Sequence, residues 1–381
     1  MNAAVTDPLP ANYHWLGAGN EMFPAMLAAI DAARESVLFE VYIFQDCVLG
    51  RRFREAFVRA AERGARVRVL VDAIGSLELP RAFWTPLRSA GGEVREFNPL
   101  ALRRFWIRDH RKLLVCDDHV AFIGGFNVAA EYEGDGINCG WCDLGMRIEG
   151  PLAAQFARSF AEMFALAEFR HKLLFPLAEP AAGKAIALPR EQILFSGPGR
   201  GQNPFKRALR RDLREANDVA MIVAYFLPAR RLRRALLRVA RRGGRVRLIL
   251  AGKSDVLLSV IARQSLYRRF LNGHVEIYEY QPQILHAKMI IVDDVVYVGS
   301  SNLDPRSLRI NYELMVRLQD GEQAQQARRL FEGHLQRCRR ISAEEWRSRG
   351  FWQRLKQRWA YFLLNRLDPY FGQRQWRALP D

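Results

Sequence analysis

The sequence predicts an α/β protein made of two tandem, related halves that share one site. Three observations carry this prediction. First, an 18-residue stretch recurs without gaps: RRFREAFVRAAERGARVR (51–68) faces RRLRRALLRVARRGGRVR (230–247), identical at 11 of the 18 positions. Second, each half carries one copy of the pattern H-x-K-x4-D, HRKLLVCD (110–117) and HAKMIIVD (286–293). Third, unbroken Val/Ile/Leu runs alternate with helical patterns, which implies sheets buried on both faces.

The elements follow in the same order in both halves. A helix-patterned run opens each, FPAMLAAIDAAR (23–34) and PFKRALRRDLREA (204–216). An apolar strand comes next, VLFEVYIF (37–44) and VAMIVAYFL (219–227). The duplicated helix then ends at a glycine, Gly64 or Gly243, where a left-handed C-terminal residue is needed. It leads into VRVLV (67–71) or VRLIL (246–250) and then a short strand, EVREF (93–97) or HVEIYEY (274–280). A Pro- and Ala-rich join separates the halves. The expected division is 1–175, a linker at 176–190, a second half at 191–345 and a basic tail at 346–381.

Composition bounds the function. Hydrophobic residues at 49% and charged residues at 26% describe a globular chain and exclude wholesale disorder. The 58 Lys+Arg against 41 Asp+Glu give +17, which favours an anionic partner: nucleic acid, acidic lipid or a phosphorylated substrate. Residues 1–15 hold no Lys, no Arg and no apolar core of a signal peptide. No apolar run reaches the roughly 18–20 residues that span a bilayer, so the expectation is a cytosolic or peripherally attached protein. Five cysteines suit a reducing compartment, and Cys139 and Cys142 read as ordinary thiols.

The repeated motif carries the chemistry. On a strand, His and Lys at i and i+2 point to one face, so His110 pairs with Lys112 and His286 with Lys288. The apolar residues that follow bury the rest of the strand. Asp117 and Asp293 complete the candidate catalytic motif at a turn, and their place suits them to tie that turn to the backbone. Each copy then reaches a small-residue turn ending in Asn: Gly124-Gly125-Phe126-Asn127 and Gly299-Ser300-Ser301-Asn302. If the halves pack about a pseudo-two-fold axis, two His, two Lys and two Asn converge. The Lys and Asn donors form a cradle for one phosphate, and the histidines supply a nucleophile and an acid/base. Such a site calls for no metal and no cofactor.

At these residues the chain resembles the phospholipase D superfamily, whose signature is a duplicated H-x-K-x4-D. Within it the chain is most similar to bacterial cardiolipin synthases of the short B type. Glu40-Val-Tyr42-Ile-Phe44, Phe122 to Asn127, and Gly299 to Ser307 followed by Asn311-Tyr312-Glu313 carry the likeness. The resemblance implies two phospholipase D-like α/β repeats packed as a pseudo-two-fold dimer with one shared active site. It implies His110 and His286 as the catalytic pair and favours His110 as the nucleophile, while the residues themselves leave the two roles open. Lys112, Lys288, Asn127, Asn302 and Ser300 hold phosphate. Glu313 orients the histidine of its own half, His286, and Asp143 does the same for His110. The second copy departs from the first at Ser300 and Ser301, so the phosphate contacts are not equivalent.

The implied reaction is phosphatidyl transfer between two phosphatidylglycerol molecules, giving cardiolipin and glycerol through a phosphatidyl-histidine. Hydrolysis, or transfer to another alcohol, is the alternative in the same pocket; a nuclease is disfavoured, and no nucleic-acid partner is expected. The implied partner is an anionic phospholipid at a membrane surface, bound peripherally on the cytoplasmic face. Residues 128–140 and 256–271 are candidates for an apolar mouth, the second reading first as an ordinary core helix. In the tail, Phe351, Trp352, Leu355, Trp359, Phe362 and Leu363 share a helical face bordered by Lys356, Arg358 and Arg366. That pattern suits a helix lying on anionic lipid, or one packed on the protein body or across a dimer.

Overall fold

A computed structural model describes residues 11–98, 107–167, 184–187, 190–198 and 203–367. Most of the expected join at 176–190, and residues 368–381 of the tail, lie outside the described residues.

The first half forms a seven-stranded mixed sheet. Its strands are β1 (Asn12–Leu16), β2 (Ser36–Val41), β3 (Arg66–Asp72), β4 (Glu93–Phe97), β5 (Leu113–Cys116), β6 (Val120–Gly124) and β7 (Gly145–Glu149), in the order β1-β7-β6-β5-β2-β3-β4. Among the described residues its helices are α1 (Gly19–Ala32), α2 (Val48–Glu62), α3 (Thr85–Ser89) and α4 (Pro151–Leu166). Among the described residues the second half has nine strands: β8 (Ala185–Ala187), β9 (Glu191–Ser196), β10 (Asp218–Val223), β11 (Arg245–Ala251), β12 (Glu276–Tyr280), β13 (Lys288–Val292), β14 (Val295–Gly299), β15 (Glu313–Gln319) and β16 (Cys338–Arg340). Its helices are α5 (Pro204–Asp212), α6 (Arg230–Arg241), α7 (Leu257–Leu271), α8 (Gly321–Leu335), α9 (Ala343–Arg347) and α10 (Phe351–Phe362). Read from β9 to β12, its order β9-β15-β14-β13-β10-β11-β12 repeats the first sheet strand for strand. β8 and β16 extend the two edges.

In both sheets the strand before the duplicated helix pairs parallel with the strand after it. The helix is therefore a crossover that covers one face. The motif strands β5 and β13 enter antiparallel, beside β2 and β10. Their exits are fixed by the motif aspartates. Asp117 and Asp293 adopt positive φ, which Asp tolerates better than most residues. The Asp117 carboxylate accepts the backbone N–H groups of Arg34, Glu35 and Ser36 at 2.8–2.9 Å. Asp293 accepts those of Asn217 and Asp218 at 2.9–3.0 Å. Each aspartate thus locks its hairpin to the start of the neighbouring strand, at the end of the motif strand away from the histidine.

The inner faces of the two sheets share a core. Val115, Ile123 and Met146 belong to the same buried cluster as Met289, Val298 and Val316, with Phe156 of α4 and Phe331 of α8. The outer faces are covered separately, around Phe39, Phe53 and Phe57 in the first half and Leu236, Leu248 and Tyr297 in the second. The described tail is less detached than the sequence suggests. α10 packs on α7, burying Ala360 and Gln357 and half-burying Tyr361. Phe351, Trp352, Trp359 and Phe362 of its expected apolar face stay exposed. No helix among the described residues is long and apolar enough to cross a membrane.

Candidate active site

The two motif histidines meet at the junction of the sheets, and each is anchored by the opposite half. The segment carrying His110 runs beside the start of β15: His110 N–H donates to the Tyr312 carbonyl at 3.0 Å, and Tyr312 N–H to the Arg108 carbonyl at 2.9 Å. The segment carrying His286 runs beside the residues before β7. Cys142 N–H donates to the Ile284 carbonyl at 2.9 Å, and His286 N–H to the Cys142 carbonyl at 2.7 Å. These two short parallel bridges exchange the carboxylates. His110 Nδ1 lies 3.0 Å from Oε2 of Glu313, and His286 Nδ1 lies 2.6 Å from Oδ2 of Asp143. The expected pairing within each half is therefore corrected: Glu313 holds His110, and Asp143 holds His286. A carboxylate that occupies Nδ1 leaves Nε2 for chemistry.

The two carboxylates differ in their surroundings. Asp143 Oδ1 accepts the N–H of Leu144 at 2.8 Å, while its other oxygen meets His286. Burial opposes its charge, but the Lys288 ammonium and His286 outweigh that and hold the carboxyl below its ordinary range. Glu313 has both His110 and the Ser300 hydroxyl, at 2.5 Å, on one oxygen. Its Oε1 is buried without a partner among the described residues. Burial wins here and pushes the carboxyl up to about 7, although Lys112 favours the charged form. Ser300, expected at the phosphate, here places its hydroxyl on Glu313. Its counterpart in the first half is Gly125, where a Cβ would lie 2.2 Å from an Asp143 oxygen. The Gly/Ser difference between the copies thus follows the Asp/Glu difference.

The histidines differ as well. Burial, then Lys112 and Lys288, push the His110 imidazole well below its ordinary pKa. Burial and Lys288 lower that of His286, and Asp143 partly opposes them. Lys112 Nζ donates to the His110 carbonyl at 2.7 Å. Lys288 Nζ donates to the His286 carbonyl and lies 2.8 and 3.1 Å from the His286 ring nitrogens. His and Lys thus share a face, as period two requires. Burial depresses the two ammoniums to about 7 and about 8, a cost that a bound anion would reverse.

His110, His286, Asn127 and Asn302 all line one cavity of about 780 Å³. Asn127 is held by the Ile43 N–H at 3.1 Å and donates to the Tyr132 hydroxyl at 2.7 Å. Asn302 is buried with its Oδ1 unpartnered among the described residues. Asp117 and Asp293 do not join them, because they sit at the far ends of β5 and β13. Sequence reasoning missed the aromatic surround: Tyr42 beside His110 at 5.1 Å between ring centres, and Tyr132 and Trp141 beside His286 at 5.3 and 5.7 Å. It also passed over Arg306, a lining residue, although Tyr42 and Arg306 stand inside the stretches that carry the family likeness. Toward solvent the cavity turns apolar, with Ile43, Ile74, Val256, Leu258, Leu363 and Leu364. Only the N-terminal end of 256–271 reaches it; Ala262, Leu266 and Phe270 are buried. From 128–140 only Tyr132 does.

Comparison with known proteins agrees with this architecture. The family model described as a cardiolipin synthase, phospholipase D-like domain matches residues 26–163 and 209–335. The chain is 31% identical over 368 residues to cardiolipin synthase B of Salmonella typhi, covering 93% of this chain and 88% of that one. It is 34% identical over 352 residues to a Pseudomonas putida cardiolipin synthase A, covering 89% and 72%. Among solved structures, the phosphatidylserine synthase of Haemophilus influenzae superposes with a TM-score of 0.73 at 17% identity, covering 95% of both chains.

Proposed function

The chain belongs to the cardiolipin synthase family of phospholipase D-like proteins, and from that premise we propose that it transfers a phosphatidyl group between two phosphatidylglycerol molecules. The observation that supports this most is the pair of crossed His–carboxylate contacts opening on one apolar-mouthed cavity. Two imidazoles held at Nδ1 by carboxylates, with Nε2 of His286 lying 3.1 Å from the Lys288 ammonium that a phosphate would draw off, suit a two-step displacement at phosphorus.

In the first step, neutral His110 Nε2 attacks phosphorus while its Nδ1–H is held by Glu313. The P–O bond to the headgroup glycerol breaks, and His286 Nε2–H protonates the departing oxygen. His110 suits the nucleophile because burial and the two lysines hold its imidazole neutral. His286 suits the proton carrier because ionised Asp143 stabilises its imidazolium. Lys112, Lys288, Asn127 and Asn302 take the phosphate oxygens, and the bound anion restores the charge that burial suppresses. In the second step, His286 deprotonates the hydroxyl of another phosphatidylglycerol. That oxygen attacks phosphorus, the P–N bond breaks, and cardiolipin leaves. One phosphodiester replaces another, so no nucleotide is consumed. The apolar mouth favours a lipid alcohol over water, which supports transfer over hydrolysis.

We further assign the approach to the membrane to the rim of this mouth. Leu257 and Leu258 are 71% and 38% exposed, and Trp359 and Phe362 are 60% and 49% exposed, on two helices that pack together. Exposed aromatics and leucines flanked by cations suit the interface of an anionic bilayer. The test of the activity is direct: incubate the purified chain with phosphatidylglycerol vesicles and resolve the products. Cardiolipin with glycerol is expected. Phosphatidic acid in its place would make the chain a hydrolase, and unchanged lipid would overturn the reading.

A further inference from the structure

A second cavity, of about 580 Å³, lies beside the catalytic one. The two are separated by little chain. Leu303 on its wall follows Asn302 directly, and Tyr361 and Asn365 flank Leu363 and Leu364 of the catalytic mouth. Its lining is basic without relief. Lys206, Arg207, Arg210, Arg230, Arg231 and Arg309 face it, and no Asp or Glu among the described residues does. None of these six is in an ion pair among the described residues.

Two independent features line the space between them. Helix α6 begins there, and its N-cap, Ala229, has no side-chain acceptor to cover the first backbone N–H groups. Those groups and the helix dipole favour an anion. Arg233, one turn on, is 8% exposed, and its Nε has no hydrogen-bond partner among the described residues. Its guanidinium is packed 5.6 Å from the Tyr361 ring centre. Tyr361 partners this guanidinium, and the one remaining buried donor, Nε, is a group that an anion in the cavity could satisfy. The crowding of charge is visible at Lys206, where burial and then Arg309 push the ammonium down to about 8. The remaining wall is apolar, with Phe205, Leu232 and Leu308 buried.

We propose that this cavity is a second phosphate site, outside the catalytic cradle, that takes the phosphodiester of an anionic phospholipid. A donor site with Arg forks and a helix N-terminus recognises phosphate, and the apolar wall suits the glycerol and first acyl carbons attached to it. The assignment rests on the phosphatidyl-transfer reading for its consequence. Two phospholipids must be near one another, and the catalytic cradle accommodates the phosphate of only one.

Titration calorimetry on the full-length His110→Ala protein, which cannot turn over, tests this with soluble dihexanoyl-phosphatidylglycerol. Two lipids per chain are expected. Arg231→Gln with Arg309→Gln, both exposed positions, should remove one binding event or weaken it about tenfold or more. Dihexanoyl-phosphatidylcholine should bind at most once. One phosphatidylglycerol per chain in the parent, or two undiminished in the variant, overturns the site. Inorganic phosphate binding as tightly as the lipid, and competing with it, overturns the lipid as occupant. Cleavage of a soluble phosphodiester, bis(p-nitrophenyl) phosphate, by the wild-type histidines should survive the double substitution. Its absence in the wild type counts against the catalytic reading alone, since the binding stoichiometry is read separately.

Discussion

Asp143→Asn and Glu313→Gln should have unequal effects, although the two residues hold equivalent places in a duplicated site. Asp143 is ionised, 2.6 Å from His286 Nδ1. Removing its charge destabilises the imidazolium that forms when His286 takes a proton. A hydrogen bond to a charged group contributes about 1.5–3 kcal/mol, so turnover should fall about 10- to 150-fold. Glu313 carries a carboxyl raised to about 7. At pH 6 it is mostly protonated already, and a glutamine amide oxygen can accept from both His110 and Ser300 as the acid does. The Glu313→Gln loss should therefore be about threefold or less at pH 6 and grow to about tenfold at pH 8, where the wild-type carboxylate is ionised. The assay is cardiolipin formation from phosphatidylglycerol vesicles across pH 6–8, with single-turnover trapping of phosphohistidine to separate the steps. Equal losses in the two variants, or a Glu313→Gln loss that does not rise with pH, would falsify the assignment of unlike charge states.

Three further outcomes are expected. Gly125→Ala puts a Cβ 2.2 Å from an Asp143 oxygen; the carboxylate must turn away from His286, and activity per folded molecule should fall about 10²-fold, whereas an unchanged rate would show that Asp143 tolerates the shift. Asp117→Ala removes the acceptor for three backbone N–H groups and should cost about 2–3 kcal/mol in denaturant unfolding, with activity per folded molecule retained. The backbone bonds hold the Asp117 carboxyl below its ordinary value despite partial burial, so its contribution is complete above about pH 4 and fades as pH falls through the native value. Replacing Trp359 and Phe362 together by serine should weaken sedimentation with phosphatidylglycerol vesicles about tenfold and leave cleavage of a soluble phosphodiester intact; undiminished sedimentation would move the membrane contact elsewhere.

Much of this was written locally in the chain. The helix–strand repeat is legible because buried strands and amphipathic helices impose their own periods on the sequence. His110 with Lys112 and His286 with Lys288 are legible because period two places i and i+2 on one face. The turn role of Asp117 and Asp293 is legible because Asp suits a left-handed turn that needs a backbone acceptor. What the linear order could not tell is which half supplies which partner. Proximity in sequence assigns Asp143 to His110 and Glu313 to His286. The bridges at Asp109–Tyr312 and Cys142–Leu285 exchange them, because the packing of one sheet against the other brings each histidine to the opposite half. The same junction sets the unlike surroundings of Asp143 and Glu313, while the pairing of β14 with β15 brings the Ser300 hydroxyl to Glu313. Folding within the second half gathers basic residues as far apart as Lys206 and Arg309 around a second cavity. Periodicity acts between neighbours in the chain; partnership, burial and charge state depend on distances that exist only once the two halves have closed on each other.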